Sequence, residues 1–255
     1  MILCLDVGNS HIYAGLFKDN DIKLTIRYPS NQALTSDTLG FFLRQVIREN
    51  TFDPDSITKI GLCSVVPSLD YSVQAACKKY FKLNPIELKP GVKTGIKLDV
   101  KNPLEVGSDR IAKIIAATEH FKAHNVIIVD FGTATTLCAV SKNKVFLGGA
   151  ILPGVRISME ALSQKTANLY AVDILAPECA LGKTTEANIQ SGIYYSQLGA
   201  ILELKKHFTS EAFKGEASTL IATGGYGALF KKEKIFAAYL PDLVLHGLRI
   251  MVEKT

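Results

Sequence analysis

The stretch LDVGNSHIYAGLF (5–17) places an aspartate inside an apolar run, before a glycine, two small polar residues and a second apolar run. The stretch NVIIVDFGTATTLCAV (125–140) repeats this order, and its aspartate, Asp130, lies 124 residues after Asp6. Each stretch predicts two strands joined by a tight turn. The recurrence of one unit of this size predicts a duplicated domain rather than a solenoid of short repeats.

The segments around these two stretches alternate strands with helices. The helix predicted at 37–49 is amphipathic, because its apolar residues from Leu39 to Ile47 fall on one face. In the first half we predict strands at 2–7, 12–17, 22–28, 59–66 and 86–88, and helices at 37–49, at 68–81 and from 108. In the second half we predict strands within 125–140 and at 145–152 and 218–225, and helices at 154–164, at 184–208 and from 241. The predicted fold class is therefore α/β, with domains at 1–120 and 121–255.

The composition is that of an ordinary globular protein, with 47% hydrophobic residues, 21% charged residues and a formal net charge of +5. The first apolar run is interrupted by Asp6 and no uncharged run is long enough to span a membrane, so we expect a cytoplasmic protein without a membrane partner. The five cysteines are scattered without a C-x-x-C pair, so we expect reduced, buried thiols. No basic block is interleaved with aromatic residues, so we expect no nucleic-acid partner.

Asp6 and Asp130 each have two interpretations. In the first, glycine-containing turns present backbone N–H groups to phosphates, and the two aspartates hold the accompanying cation on either side of a cleft between the domains. In the second, both are turn residues that make local hydrogen bonds to their own backbone. Their equivalent places in a duplicated fold favour the first interpretation.

Five motifs occur in the order found in a known family and cover nearly the whole chain. They are DVGNS (6–10), NPLEVGSDR (102–110), DFGTATT (130–136), GGAILPG (148–154) and TGG (223–225). Together they resemble the actin-like ATPase and sugar kinase superfamily and, more narrowly, type III pantothenate kinase. The resemblance implies two duplicated ribonuclease H-like (actin-like ATPase) domains, each a mixed sheet flanked by helices, with a cleft between. It also implies ATP-dependent phosphorylation of pantothenate to 4'-phosphopantothenate, the first step of coenzyme A biosynthesis.

The resemblance further implies roles for single residues. Asp109 would be the general base that accepts the proton of the substrate hydroxyl. Asp130 would bind a monovalent cation, K⁺ or NH₄⁺, and Asp6 would hold Mg²⁺. The implied ATP-binding residues are Asp6, Val7, Gly8, Asn9, Ser10, His11, Ile12, Tyr13 and Thr133, and the implied substrate-binding residues are Gly107, Ser108, Asp109, Arg110 and Thr185.

The segment GSDR (107–110) lies where a loop is predicted to become a helix. Ser108 is expected to be the N-cap, which puts Asp109 in the first turn, where backbone N–H groups and the helix dipole favour the ionised carboxylate. Without the family match, Asp109 would be interpreted as a residue that only suits the helix dipole. Upstream, Val100 stands where the family often has a tyrosine, which bears on the shape of the substrate pocket rather than on phosphoryl transfer.

The helix predicted at 184–208 indicates an assembly. Its apolar face is longer than one domain usually buries, and Gly192 and Gly199 would let another helix approach, so we expect a two-fold homodimer. By the resemblance, Thr185 of this helix reaches the site of the neighbouring subunit, giving a shared active site. Two alternatives stay open: another small-molecule kinase of the superfamily, and a non-catalytic nucleotide-binding regulator that acts as a transcription accessory factor.

Overall fold

A computed structural model describes residues 1–30, 33–89 and 92–255. The α-helices are α1 (Ser36–Glu49), α2 (Pro67–Ala76), α3 (Ser108–His120), α4 (Val155–Lys165), α5 (Thr185–Glu211) and α6 (Leu243–Lys254). The strands are β1 (Ile2–Val7), β2 (His11–Lys18), β3 (Asp21–Pro29), β4 (Lys59–Ser64), β5 (Ile86–Glu87), β6 (Lys97–Leu98), β7 (Asn125–Phe131), β8 (Ala134–Val140), β9 (Val145–Pro153), β10 (Ser218–Thr223) and β11 (Ala238–Tyr239). The two-residue strands β6 and β11 escape prediction because so short a segment shows no periodicity.

The described chain divides into two compact units. The first contains Met1–Ile96, Lys101–Ala117 and Leu243–Thr255, and the second contains Lys97–Val100 and Thr118–Asp242. The predicted ranges, 1–120 and 121–255, differ from this division mainly in the last helix. Helix α6 belongs to the first unit, because it packs against β1 and β4.

The first unit is built on a mixed sheet with the strand order β3-β2-β1-β4-β5. Strand β1 is central, since it pairs antiparallel with β2 and parallel with β4. Leu3 and Leu5 of this strand are fully buried in one cluster with Leu39, Leu43 and Ile47 of α1. The predicted apolar face of α1 is therefore confirmed as a face that packs into the core.

Helix α6 approaches the first sheet closely at two glycines. A Cβ atom on Gly15 would lie 2.7 Å from the side chain of Leu245, and one on Gly61 would lie 2.7 Å from the side chain of Val252. A methyl group at either position would require the facing side chain of α6 to shift. The small residues of β2 and β4 thus explain why the last helix completes the first unit.

The second unit repeats the plan, with the strand order β11-β10-β7-β8-β9-β6. Strand β7 pairs antiparallel with β8 and parallel with β10, as β1 does with β2 and β4. Asp6 is level with Cys63 on β4, and Asp130 is level with Thr223 on β10. The predicted duplication is therefore confirmed, and Asp6 and Asp130 occupy equivalent positions in the two sheets.

Helix α5 supplies much of the core of the second unit. Its residues Ile189, Ile193, Leu198 and Ile201 are buried in the same cluster as Phe131 of β7. The helix runs three residues past the predicted end at 208. A buried polar residue of this helix, Gln197, donates a hydrogen bond to the carbonyl of Pro153 at the end of β9.

The cysteines of the chain are free thiols. Four of them are buried, but Cys179 is exposed, so the expectation of buried thiols is wrong at that position. In the part of the chain that the structure describes, no helix combines the length and the hydrophobicity needed to cross a membrane.

Candidate active site

Asp6 lies near the end of β1, just before the turn at residues 8–10. Its partly buried carboxylate accepts a hydrogen bond from the Sγ atom of Cys63 at 3.2 Å. Burial first, and then the nearby Asp6 and Asp109 carboxylates, raise the pKa of the Cys63 thiol well above its usual value. The thiol therefore keeps its proton and remains a donor to Asp6.

The turn after β1 is closed by backbone hydrogen bonds. The N–H of Gly8 donates to the carbonyl of His11 at 3.0 Å, and the carbonyl of Ser10 accepts from the N–H of Ser30 at 3.0 Å. Asn9, Ser10 and His11 are exposed. The polar residues of this turn are thus held by the backbone on a surface that a ligand can reach.

Ser108 is the first residue of α3 rather than its N-cap, so the expected cap is wrong. The carbonyl of Gly107 accepts from the N–H of Ile111 at 3.2 Å, the first hydrogen bond of the helix, so Gly107 takes the cap position. The Ser108 hydroxyl instead accepts from the N–H of Ser64 at 3.2 Å and donates to the Ser64 carbonyl at 2.9 Å. These two hydrogen bonds fix the start of α3 to the end of β4. Asp109 lies in the first turn, as predicted.

Asp109 forms an ion pair with Lys113, one helical turn further along α3. The Nζ atom of Lys113 lies 2.6 Å from Oδ2 of Asp109, and the two side chains are 10% and 24% exposed. Burial alone would raise the pKa of Asp109, but the charge and hydrogen bond of Lys113 outweigh it and lower the pKa below its usual value. Asp109 is therefore an ionised carboxylate in a largely buried place.

Gly107 leaves room for the Asp109 carboxylate. A Cβ atom at residue 107 would lie 2.6 Å from Oδ1 of Asp109, which is closer than real Cβ atoms approach. The glycine of the GSDR segment thus has a steric reason: it lets the carboxylate fold back over the start of the helix. One oxygen, Oδ2, is taken by Lys113, and the other lies beside Gly107.

Asp130 is a buried carboxylate near the end of β7. The backbone of Gly224, which has a φ of 84°, packs directly against it. A Cβ atom on Gly224 would overlap Oδ1 of Asp130 and lie 2.6 Å from the carbonyl oxygen of Phe131. The carboxylate and this carbonyl oxygen therefore both contact a backbone whose φ favours glycine.

The loop between β7 and β8 is supported from a second side by the end of β9. A Cβ atom on Gly154 would overlap the carbonyl of Thr133, so the two backbones are in direct contact. The preceding residue, Pro153, has its carbonyl bound by the side-chain amide of Gln197 at 2.9 Å. Thr133 itself is exposed. The motif GGAILPG, which suggests no chemistry as a sequence, thus ends in the residue that supports the second loop.

Thr185 is the first residue of α5 and is exposed. It does not cap the helix, because Thr184 does so: the Oγ1 atom of Thr184 accepts from the N–H of Ala187 at 3.1 Å. The Thr185 side chain is therefore not needed to start the helix. Because this side chain is exposed, it can contact a ligand or another chain.

The two carboxylates nearest the turns fit the cations that the family resemblance implies. Over the described residues, no three His, Cys, Asp or Glu side chains form a metal cluster, and Mg²⁺ in nucleotide sites needs only one or two carboxylates besides the phosphates. Asp6, partly exposed beside a tight turn, is such a carboxylate. Asp130 and the carbonyl of Phe131 are oxygen donors of the kind that a monovalent cation takes, and both contact the backbone of Gly224.

Comparison with known proteins identifies the family and the fold. Residues 2–207 match the family model of type III pantothenate kinase. A relative from Francisella tularensis subsp. holarctica (strain OSU18), named type III pantothenate kinase 1, is 55% identical over 251 residues, covering 98% of each chain. Among solved structures, a Baf family transcriptional activator from Campylobacter jejuni superposes with a TM-score of 0.63 at 20% identity, covering 99% of this chain and 98% of that one. A ROK hexokinase from Thermus thermophilus gives a TM-score of 0.52 at 12% identity, again covering 99% and 98%.

The fold is that of the sugar kinases and actin-like ATPases, two duplicated domains each built on a mixed sheet flanked by helices. Within that class, the chain belongs to the type III pantothenate kinase family. It is therefore a kinase, an enzyme that transfers a phosphoryl group. The family predicted from the five sequence motifs is confirmed.

Sequence reasoning assigns no role to three residues that the structure places beside the carboxylates: Cys63, Lys113 and Gly224. A signal for Lys113 exists, because a lysine four residues after an aspartate on a helix is a standard ion-pair spacing. Cys63 has no such signal, since it meets Asp6 only through the register of β1 and β4. Gly224 is part of the TGG motif, but its contact with Asp130 depends on the packing of β10 beside β7.

Replacing Gly224 with alanine should destabilise the second unit. The methyl group would overlap the Asp130 carboxylate and would have to adopt a φ of 84°, so we expect a loss of about 1–3 kcal/mol, seen as a lower melting temperature. Gly225→Ala is the matched control, because no atom lies within 4 Å of a Cβ there. Equal melting temperatures for the two variants would contradict this packing.

Proposed function

We propose that the protein transfers the γ-phosphoryl group of ATP to the hydroxyl of pantothenate, producing 4'-phosphopantothenate for coenzyme A biosynthesis in the cytoplasm. The observation that supports this most directly is the environment of Asp109. This carboxylate is largely buried, ionised and fixed at the start of α3 by the hydrogen bonds of Ser108 to Ser64. A fixed acceptor for a hydroxyl proton is the group that a kinase of this type needs from its protein.

Asp109 acts as the general base in this proposal. Phosphoryl transfer passes through a loose transition state, so orienting the attacking hydroxyl counts for more than a strong base. An ionised carboxylate with a lowered pKa orients the hydroxyl by accepting its hydrogen bond and takes the proton late in the transfer. Gly107, Ser108 and Arg110 form the rest of the proposed substrate contact at the start of α3.

The first loop is proposed to bind ATP through residues 6–13. The backbone of Gly8 and the exposed Asn9 and Ser10 supply hydrogen-bond donors for phosphates, and Asp6 would hold the Mg²⁺ that accompanies them. Mg²⁺ would offset the charge of the phosphates. The Cys63 thiol donates to one carboxylate oxygen of Asp6, and this fixes the orientation of the carboxylate.

The second loop is proposed to bind a monovalent cation and the nucleotide. Asp130 and the carbonyl of Phe131 would hold K⁺ or NH₄⁺, and Thr133, exposed in the loop, would contact ATP. The cation would place a positive charge close to the phosphates. The contacts of Gly224 and Gly154 hold the loop backbone in the required shape.

The active form is proposed to be a homodimer that forms through α5. Gly192, Tyr195, Gly199 and Leu202 occupy one face of this helix at a spacing of three or four residues, and this face is exposed, with Tyr195 at 40% and Leu202 at 44%. A second copy of α5 could pack on this strip by two-fold symmetry. Thr185 would then contact the substrate bound by the partner subunit.

Two other functions would give different results in a coupled assay of ADP release. A non-catalytic regulator would show no turnover that depends on pantothenate, and the three carboxylates Asp6, Asp109 and Asp130 would then lack a purpose. Another small-molecule kinase would turn over with a different alcohol and not with pantothenate. ADP release that requires pantothenate separates the proposed function from both.

Asp109→Asn should lower the rate of pantothenate phosphorylation by roughly 10²–10⁴-fold, the usual scale for removal of a general base. The amide keeps the size of the side chain but cannot accept the proton. Asp37→Asn is a matched control, because Asp37 also lies in the first turn of a helix and pairs with a lysine, Lys79, at 2.6 Å on the surface. A rate within a few-fold of the parent for Asp109→Asn would show that Asp109 is only structural.

The proposed cation makes activity depend on the salt used. With Na⁺ as the only monovalent cation the rate should be low, and it should rise when K⁺ or NH₄⁺ replaces Na⁺ at constant ionic strength. In Asp130→Asn that response should disappear, because the neutral amide no longer attracts the ion. If the parent enzyme is equally fast in Na⁺ and K⁺, the assignment of Asp130 is incorrect.

A shared site can be tested by mixing two inactive variants. Asp109→Asn subunits and Thr185→Val subunits, carrying different affinity tags, would form heterodimers with one intact site, built from Asp109 of one chain and Thr185 of the other. Purified heterodimers should therefore regain part of the activity that each homodimer lacks. Confirmed heterodimers that stay inactive would mean that each site is built within one chain.

A further inference from the structure

Lys113 is an unusual residue in its place. It lies in the run IAKIIAA (111–117), where the flanking residues Ala112 and Ile114 are fully buried, and only 8% of Lys113 is exposed. Lysine is almost never buried to this extent unless it is paired. Its ammonium group reaches Oδ2 of Asp109 at 2.6 Å, so the helix keeps a buried cation next to the proposed base.

We propose that Lys113 is a positioning residue for phosphoryl transfer, which holds the Asp109 carboxylate in the one orientation that accepts the substrate hydroxyl. This inference rests on the proposed role of Asp109 as the base. Lys113 itself does not touch the reacting atoms in this proposal. It occupies Oδ2 and thereby directs the remaining oxygen, Oδ1, which lies over Gly107 at the start of the helix.

The geometry around the pair explains why the lysine is needed. Gly107 has no side chain that could hold the carboxylate. The other groups near the pair are the cationic Arg110 on α3 and the neutral thiol of Cys63 on β4, which donates a hydrogen bond to Asp6. Lys113 supplies the larger of the two positive contributions at Asp109, since Arg110 contributes through its backbone N–H and, last, its charge.

Removing the lysine should change how the carboxylate titrates. Burial disfavours the charged form of Asp109, and Lys113 is the main group that opposes burial. Without it the pKa of Asp109 rises, so the carboxylate takes up a proton at higher pH and can no longer accept one from the substrate. The rate should then fall as the pH decreases through this raised pKa, and it should recover only in part in alkaline solution, because the carboxylate is no longer held in one orientation.

The test is the pH profile of kcat/KM for pantothenate in Lys113→Met, measured with saturating ATP between about pH 4 and about pH 9. Because the pKa of Asp109 is lowered, the parent should show no acid limb from this group in that range, whereas Lys113→Met should show one, since loss of an opposite charge raises the pKa of a buried aspartate by roughly one to three pH units. Lys113→Arg should restore the parent profile, because it returns the cation. Lys122→Met is the matched control: Lys122 lies just after α3 and is 75% exposed, 3.9 Å from Glu119.

A folded Lys113→Met enzyme without an acid limb of its own would overturn the proposal, whether its rate equals that of the parent or is lower at every pH. If Lys113→Met does not fold, Lys113→Gln replaces it, since the amide keeps a polar donor without the charge and carries the same prediction. Asp109→Asn separates this inference from the function it rests on. If Asp109→Asn is active, the assignment of Asp109 as the base is refuted. If Asp109→Asn is inactive and Lys113→Met has the pH profile of the parent, only the role proposed for Lys113 is refuted.

Discussion

The register between each central strand and its parallel neighbour is the constraint on which the rest of the structure depends. It sets Asp6 beside Cys63 in the first unit and Asp130 beside Thr223 in the second. A slip of one residue would turn every side chain of the strand to the opposite face. The carboxylates would then point into the wrong layer, and the turns that follow them would no longer adjoin them.

Each carboxylate lies close to an apolar core, and each is stabilised in a different way. Asp6 accepts a thiol hydrogen bond, Asp109 has a full cationic partner in Lys113, and Asp130 lies against glycine backbone. Desolvation penalises an ionised carboxylate unless such a partner compensates. These neighbours differ as the proposed tasks do: the ion pair with Lys113 fixes the orientation of Asp109, while the oxygen atoms at Asp130 suit the proposed cation.

The sequence predicts the architecture well, because the periodic spacing of apolar residues and the repeated motif both indicate the fold. The strands and helices that flank the two DxG turns are long enough to show their alternation or their apolar stripe, as α1 does with Leu39 and Ile47. The last helix is the exception. Its contact with β2 and β4 depends on Gly15 and Gly61, and a glycine in a strand indicates only that something approaches, not which element does.

The surroundings of the site are harder to predict, because they depend on tertiary contacts. Ser108 is a good N-cap residue by type, yet its hydroxyl binds the backbone of Ser64, which is 44 residues away in the chain. The same holds for Cys63 and Gly224, whose partners are set by strand pairing. Lys113 differs, since its spacing from Asp109 is local, and what the sequence hides is only that the pair is buried.

Within the second unit, one helix connects the proposed assembly to the proposed nucleotide loop. The exposed strip of α5 includes Gly192 and Leu202, and between them Gln197 faces inward and holds the carbonyl of Pro153. The next residue, Gly154, supports the backbone at Thr133. A partner helix seated on the strip would restrain α5, and α5 restrains the loop through this short series of contacts. The proposed delivery of Thr185 and the support of the second loop thus both start from α5, so the proposed homodimer and the proposed nucleotide loop depend on the same helix.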